Sequence, residues 1–324
     1  MRAVSLPTPS TSQRAVSRRS LDCWAGRTFF VVTLFPIGLA IAIATALVAR
    51  SWPILQSQPL WDLLSGTTWK PLQGQFGFLP FIAGTFWVTL AAILLALPPC
   101  LLTAIYLAEY ARKSTREVVK PLLDLLAAIP SVVYGVWGML AIVPWVEKSF
   151  MPFCARWLGF LPLFRSNNPT GFGVLSGAIV LAVMIAPFII AVTYEVMCTA
   201  SQGIREASLA VGATRWQTIK YAVLPHTLPG IAAGIVLGAS RALGETMTVL
   251  MVVGNVAQVP GSVFDAAYPL PALIANNYGE MMSIPLYDAA LMAAALILLA
   301  IVLVFNVVST LILRRVMGRV RRTW

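Results

Sequence analysis

Glu206-Ala207-Ser208-Leu209-Ala210-Val211-Gly212-Ala213-Thr214-Arg215-Trp216-Gln217-Thr218-Ile219-Lys220-Tyr221-Ala222-Val223-Leu224-Pro225 is a polar stretch set between two apolar runs. Thr214-Arg215-Trp216-Gln217 has the form of a capping box, so a helix is expected to start just after Gly212 and Ala213. It should run through Lys220 to about Val223 and stop before Pro225. Upstream, Ile204 to Val211 reads as a second short helix, and Gly212 is able to take the positive φ of the turn between them. Two short helices hinged at a glycine and lying along a membrane face make a docking surface. Periodicity alone also admits an ordinary interfacial amphipathic helix anchored by Trp216.

The rest of the chain explains why a membrane is invoked. Hydrophobic residues make up 59% of its 324 residues and charged residues 11%, against roughly 45–50% and 25% in soluble domains. The apolar residues gather into six runs, at 28–49, 80–108, 121–146, 173–198, 228–253 and 286–313. Each is long enough to cross a hydrocarbon core of ~30 Å as a helix. The fold class is therefore an all-α polytopic membrane protein with six transmembrane helices. The first run is longer than the ~7–15 apolar residues of a signal peptide and is expected to be a retained helix.

A net charge of +11 raises the question of nucleic acid. Seventeen of the 23 Lys and Arg lie before the first run, in loops 109–120 and 199–227, or after the last run; five lie in the alternate loops, and Arg241 lies inside a run. This split is the topogenic bias that keeps positive loops in the cytoplasm, with both termini inside. The charge never gathers beside aromatics on one face, so no nucleic-acid partner is expected. Cys23, Cys100, Cys154 and Cys198 lack metal spacing, and only Cys154 falls in an outside loop, so neither a disulfide nor a zinc site is expected.

Residues 1–27, rich in Ser, Arg, Thr and Pro, are expected to be disordered. Loop 50–79 carries Trp52, Trp61 and Trp69, which suit a segment at headgroup level. A kink is expected at Pro98-Pro99 and a helix break at Pro130. A break there serves either packing or a translocation path, because freed backbone groups need protein or a watery cavity.

Arg241 and Glu245 stand inside the fifth run, where an ionised side chain costs at least ~2.5–3.5 kcal/mol. Four residues apart on a helix, they share a face and are expected to pair. Gly230, Gly234 and Gly238 form a small-residue seam on the same helix. At about 100° per residue all five positions fall within roughly 80°, so seam and pair should face packed protein. The pair either fixes helix register or presents a guanidinium to an oxyanion. Asp124 and Glu195 read as helix-end charges, and His226 as a loop residue. No G-x-x-x-x-G-K-[ST] loop and no H-E-x-x-H motif occurs, so an enzyme is not expected.

Glu206-Ala207-Ser208 with Gly212 and Leu224-Pro225 resembles the cytoplasmic "EAA" loop of bacterial ABC-importer permeases, with Ser208 where Ala is usual and Ala222 where a larger aliphatic is usual. Gly77–Thr85, Leu122–Gly135 and Arg241–Thr246 are similar to the phosphate-specific transport permeases, more to the C-type (PstC) subunit than to its A-type partner. The resemblance covers roughly residues 74–313. It implies the MetI-like ABC-importer permease fold, with a coupling-helix loop at 199–227 inside a permease core at 74–313. The remaining pieces would be a disordered tail (1–27), a first transmembrane helix with a periplasmic loop (28–73), and a basic cytoplasmic tail (314–324).

The same resemblance implies ATPase coupling through Glu206, Ala207, Gly212, Leu224 and Pro225, and a phosphate path at Arg241 and Glu245. It implies a second, A-type permease subunit, a cytoplasmic ATPase dimer and an extracytoplasmic phosphate-binding protein as partners, in a bacterial inner membrane. No cofactor or metal is implied. The alternatives are the same machine for sulfate, molybdate or tungstate, and an ion-coupled secondary transporter using Arg241 and Glu245 as a relay. Secondary transporters often carry internal repeats, and none is evident between the two halves of this sequence.

Overall fold

The computed structural model describes residues 11–165, 168, 170–279 and 285–320. The chain divides at Arg50 into two units. The first holds helix α1 (Thr11–Ser57) as far as Arg50; the membrane-length stretch of this helix starts at Trp24 and is exposed throughout from Trp24 to Ile43. Residues 11–27 are thus helical where disorder was expected. Once past Pro9, Thr11-Ser-Gln-Arg-Ala-Val-Ser-Arg-Arg-Ser holds no breaker and several good helix formers. Residues 1–10 of the tail lie outside the described residues.

The second unit begins at Ser51 and contains α2 (Leu60–Ser65), a small hairpin of β1 (Trp69–Lys70) and β2 (Gln75–Phe76), and then the remaining spans. These are α3 (Leu79–Tyr110), the pair α4 (Lys113–Ala128) and α5 (Ser131–Trp157), α6 (Val174–Cys198), α8 (Arg215–Leu243) and α11 (Pro285–Val320). Between them lie the short helices α7 (Gln202–Ala210), α9 (Met247–Val252) and α10 (Leu270–Asn277). With α4 and α5 taken as one bent span, the described helices supply six crossings.

Loop residues 51–73, grouped with the first helix from the sequence, pack into this second unit. Ile54 and Leu63 are buried with Phe76, Phe78 and Phe81. Trp69 is half-buried in an aromatic cluster. Its ring sits 4.8–6.0 Å from those of Phe76, Phe78, Phe81 and Tyr287, mostly edge-on. Trp52 and Trp61 are exposed, as an interfacial role requires.

Helix α3 turns a row of mostly small residues inward and large ones outward. Along α3, Val88, Ala92, Ala96, Cys100 and Ala104 recur every fourth position, are buried, and share one cluster with Ala178, Leu181, Ile185 and Ile189 of α6. The opposite face of α3 exposes Phe86, Leu90, Leu94 and Leu102. Lipid is as apolar as leucine, so close backbone approach through small residues, rather than expulsion of water, holds such helices together.

The break expected at Pro130 is present, and two other expected features differ. The third span is two helices bent by 90° across Ile129-Pro130; Pro130 removes a donor and drives Ile129 to extended backbone (ψ 130°). The fifth span, expected to run to 253, ends at Leu243 and resumes as α9. The last helix continues through Arg314 and Arg315 to Val320, into the expected basic tail, and residues 321–324 lie outside the described residues. Across Pro98-Pro99, α3 stays one helix.

Candidate functional site

At one end of the bundle the loop 199–227 forms the expected elbow. Ser201 accepts from the Ile204 amide at 3.4 Å to open α7. After Val211 the chain turns at Gly212 with φ +86°, a left-handed conformation favoured by glycine. The Thr214 hydroxyl accepts from the Gln217 amide (3.3 Å), and the Gln217 side chain accepts from the Thr214 amide (2.8 Å), so the capping box is complete. Ser208 and Thr218 share a hydrogen bond of 3.0 Å across the elbow. Ser208, the departure from the usual alanine, therefore ties the two short helices together.

The helix that follows does not stop at Pro225. It runs unbroken from Arg215 to Leu243. A π-helical turn, Ile219–Val223, precedes Leu224-Pro225, which places Pro225 in the first turn after a local re-phasing of the hydrogen bonds. The proline's missing donor therefore interrupts nothing. Thr218, Ile219 and Val223 are buried against the bundle, while Glu206, Ala207, Leu209, Val211 and Gly212 are exposed. An exposed apolar edge beside a carboxylate is the face this elbow presents. Leu224 and Pro225 are half-buried and do not belong to it.

One contact here escaped the sequence reading. Arg205, beside Glu206, turns inward to Glu109 at the end of α3, with Nη2 2.7 Å from the carboxylate. It also donates to the carbonyls of Ala200 (2.6 Å) and Met197 (3.0 Å), close to the C-terminus of α6. Glu109 and Arg205 are 96 positions apart, so no local pattern announces the pair.

The glycine seam of α8 packs on α6. A Cβ placed on Gly230, Gly234 or Gly238 would come within 2.5–2.9 Å of Val196, Val192 or Ile189, respectively. Gly234→Leu is therefore expected to destabilise the subunit by about 1–3 kcal/mol. The check is the apparent melting temperature of the detergent-purified protein, which should fall by several degrees.

Arg241 and Glu245 do not pair among the described residues, contrary to expectation. The helix closes between them: the Gly244 amide bonds the Arg241 carbonyl and the Glu245 amide bonds the Ala242 carbonyl, both at 3.3 Å. Each charge instead finds a helix end. Glu245 Oε1 accepts from the Thr248 amide at 3.2 Å at the start of α9, where the helix dipole favours an anion. Arg241 lies in the last turn of α8, where it favours a cation. The guanidinium carbon stands 4.0 Å over the Phe188 ring of α6, and the side chain is otherwise exposed.

The break at Gly244–Thr246 lies beside the break at Pro130. Thr248 donates to the Ser131 carbonyl at 2.9 Å, and a Cβ on Gly135 would meet Met251 at 2.7 Å, so α5 and α9 are in close contact. Tyr134 donates to the Leu126 carbonyl at 2.8 Å and holds the ends of α4 and α5 together. Two interrupted helices therefore face each other with one accessible guanidinium beside them. Irregular backbone at membrane depth persists only in protein or against a watery cavity. Asp124 and Glu195 line one pocket with Lys120, and Glu195 pairs with Lys120 at 3.7 Å in an exposed setting.

Six spans, two of them broken side by side, and an elbow at one end define a multi-pass membrane permease. The chain belongs to the family described as the binding-protein-dependent transport system inner membrane component, whose profile matches residues 100–322. It is 36% identical over 291 residues to the phosphate transport system permease protein PstC of Pasteurella multocida, 89% of each chain. The PstC protein of Mesorhizobium japonicum is 33% identical over 320 residues, 97% of each. Among solved structures, the chain's fold is similar to a bacterial ABC transporter involved in the import of the acidic polysaccharide alginate. The TM-score there is 0.59 at 17% identity, over 93% of this chain and 99% of that one. For the inward-facing MetNI methionine ABC transporter it is 0.50 at 21% identity, over 74% and 94%.

Proposed function

We propose that this chain is the permease subunit of an ATP-driven importer of inorganic phosphate, with Arg241 in the substrate path. The observation that carries the reading is the accessible guanidinium of Arg241, without an ion pair among the described residues, at the junction of two broken helices. A planar donor fork of this kind matches a tetrahedral oxyanion, and resting on an aromatic face rather than on a carboxylate leaves it free to do so. Glu245 holds the opposite helix end and keeps negative charge nearby, which limits trapping of the anion. Similarity to permeases named for phosphate, over nearly the whole chain, supports the choice of anion.

The loop 199–227 lies on the positively charged side of the topology, which is the cytoplasmic side. Its exposed face, Glu206 to Gly212, receives an ATPase subunit that supplies the energy. Leu224 and Pro225 act behind that face, as the start of the rigid helix leading to Arg241. A second, A-type permease subunit completes the pathway, and an extracytoplasmic binding protein delivers phosphate against loops 50–79 and 254–285. Both termini are cytoplasmic, in a bacterial inner membrane. Hydrolysis of ATP belongs to the partner.

The test is the purified complex in liposomes with its binding protein, given phosphate, sulfate, molybdate or tungstate in turn. Phosphate is expected to raise ATP hydrolysis severalfold and to enter the lumen. Stimulation by sulfate, molybdate or tungstate but not by phosphate would overturn the substrate assignment.

A further inference from the structure

The last turn of α3, Tyr106–Tyr110, is π-helical, and three arginines from three other helices close on it. Arg205 of α7 binds Glu109 through both carboxylate oxygens, with distances of 2.7 to 3.3 Å. Only 18% of the Arg205 side chain and 9% of that of Glu109 are exposed. Arg215, the first residue of α8, lies over the Tyr110 ring at 5.5 Å. Arg116 of α4 donates to the Ala108 carbonyl at 2.8 Å. Ala108 itself is buried with Met197, Ala200, Ile219 and Val223, which joins the turn to the ends of α6 and α8.

These contacts form a continuous route. On one side stands the elbow, held by Arg205 and Arg215. On the other stands α4, held by Arg116, whose far end is the Pro130 break. Beyond the break, the Ser131 carbonyl accepts from Thr248 in the turn capped by Glu245. A π turn has looser winding than the helix around it and recurs at functional positions, so this one is suited to shift without unwinding α3.

We propose that Tyr106–Tyr110 is a relay that carries movement of the elbow to the bent third span, in parallel with the direct route along α8. Arg205, Glu109 and Arg116 are its positioning residues. The proposal rests on the reading of the elbow as the ATPase dock. Coupling claims of this kind need a readout of coupling rather than proximity, and the relevant quantity is phosphate transported per ATP hydrolysed.

The experiment compares the wild type, Glu109→Gln, Arg116→Gln and the reversed pair Glu109→Arg with Arg205→Glu, each reconstituted with the ATPase, partner permease and binding protein. Co-purification of the ATPase is scored first. In Glu109→Gln and Arg116→Gln the ATPase is expected to remain bound and to hydrolyse ATP. Phosphate moved per ATP should fall about tenfold, within the range of measured site-to-site couplings. The reversed pair should recover part of that loss.

Among the described residues no hydrogen bond or ion pair joins Arg116 to the elbow or to Arg205, so its variant carries the test if Glu109→Gln fails to fold. Wild-type transport per ATP in Arg116→Gln, with the ATPase bound, would overturn the relay. Failure of the wild-type subunit to retain the ATPase would instead overturn the docking reading, and the relay with it.

Discussion

Arg241→Gln is expected to reduce phosphate uptake to background while the subunit still reaches the membrane and assembles. The side chain is exposed and its one described contact is with the Phe188 ring, so its loss removes little packing. What it removes is a charged donor pair, and hydrogen bonds to charged groups are worth about 1.5–3 kcal/mol each. Two such bonds to a phosphate amount to roughly 10²–10⁴-fold in occupancy of the path. Arg241→Lys should retain part of the activity, because charge remains while the planar fork and its ring stacking are lost. Initial rates of radiolabelled phosphate uptake in cells depending on this transporter provide the check, with immunodetection of the assembled complex as control. Uptake at wild-type rate by Arg241→Gln would remove Arg241 from the path.

The second large effect is expected at the elbow. Gly212 holds φ +86°, and a Cβ there would meet nothing within 4 Å, so a substitution there acts through the backbone alone. For an L-residue the left-handed region costs about 1–2 kcal/mol, and a β-branched residue is a genuine outlier in it. Gly212→Val should therefore tilt the two short helices out of register and uncouple ATP hydrolysis from uptake by at least about tenfold. Gly203→Ala is the matched control: Gly203 is helical, equally free of neighbours and without positive φ, so transport should be unchanged and the helix slightly favoured. Glu206→Ala should also uncouple, by loss of an exposed carboxylate from the docking face. Hydrolysis and uptake measured on one reconstituted sample give the ratio for each variant.

What the sequence disclosed was mostly local. Thr214 and Gln217 lie three apart and announce their own capping box. Gly212 marks a turn because few other residues adopt its φ readily, and Pro130 marks a break because it lacks a donor. The six runs follow from length and hydropathy alone. What stayed hidden depends on tertiary context. Pro225 seemed a stop, but a π turn upstream absorbed it. Arg241 and Glu245 seemed a pair because an unbroken helix was assumed. Gly244, a helix-terminating residue followed by an acid that caps the next helix, was the available signal for the break. The Glu109–Arg205 pair had no signal, since its partners meet only when α3, α6 and α7 have packed.

The most direct measurement is phosphate influx into liposomes holding this subunit and its A-type partner, with binding protein outside, with and without the ATPase and ATP inside. Influx that requires both the ATPase and hydrolysable ATP, and that is lost in Arg241→Gln, is the predicted result. Influx that proceeds without the ATPase, driven by an ion gradient, would contradict the account and identify a secondary transporter.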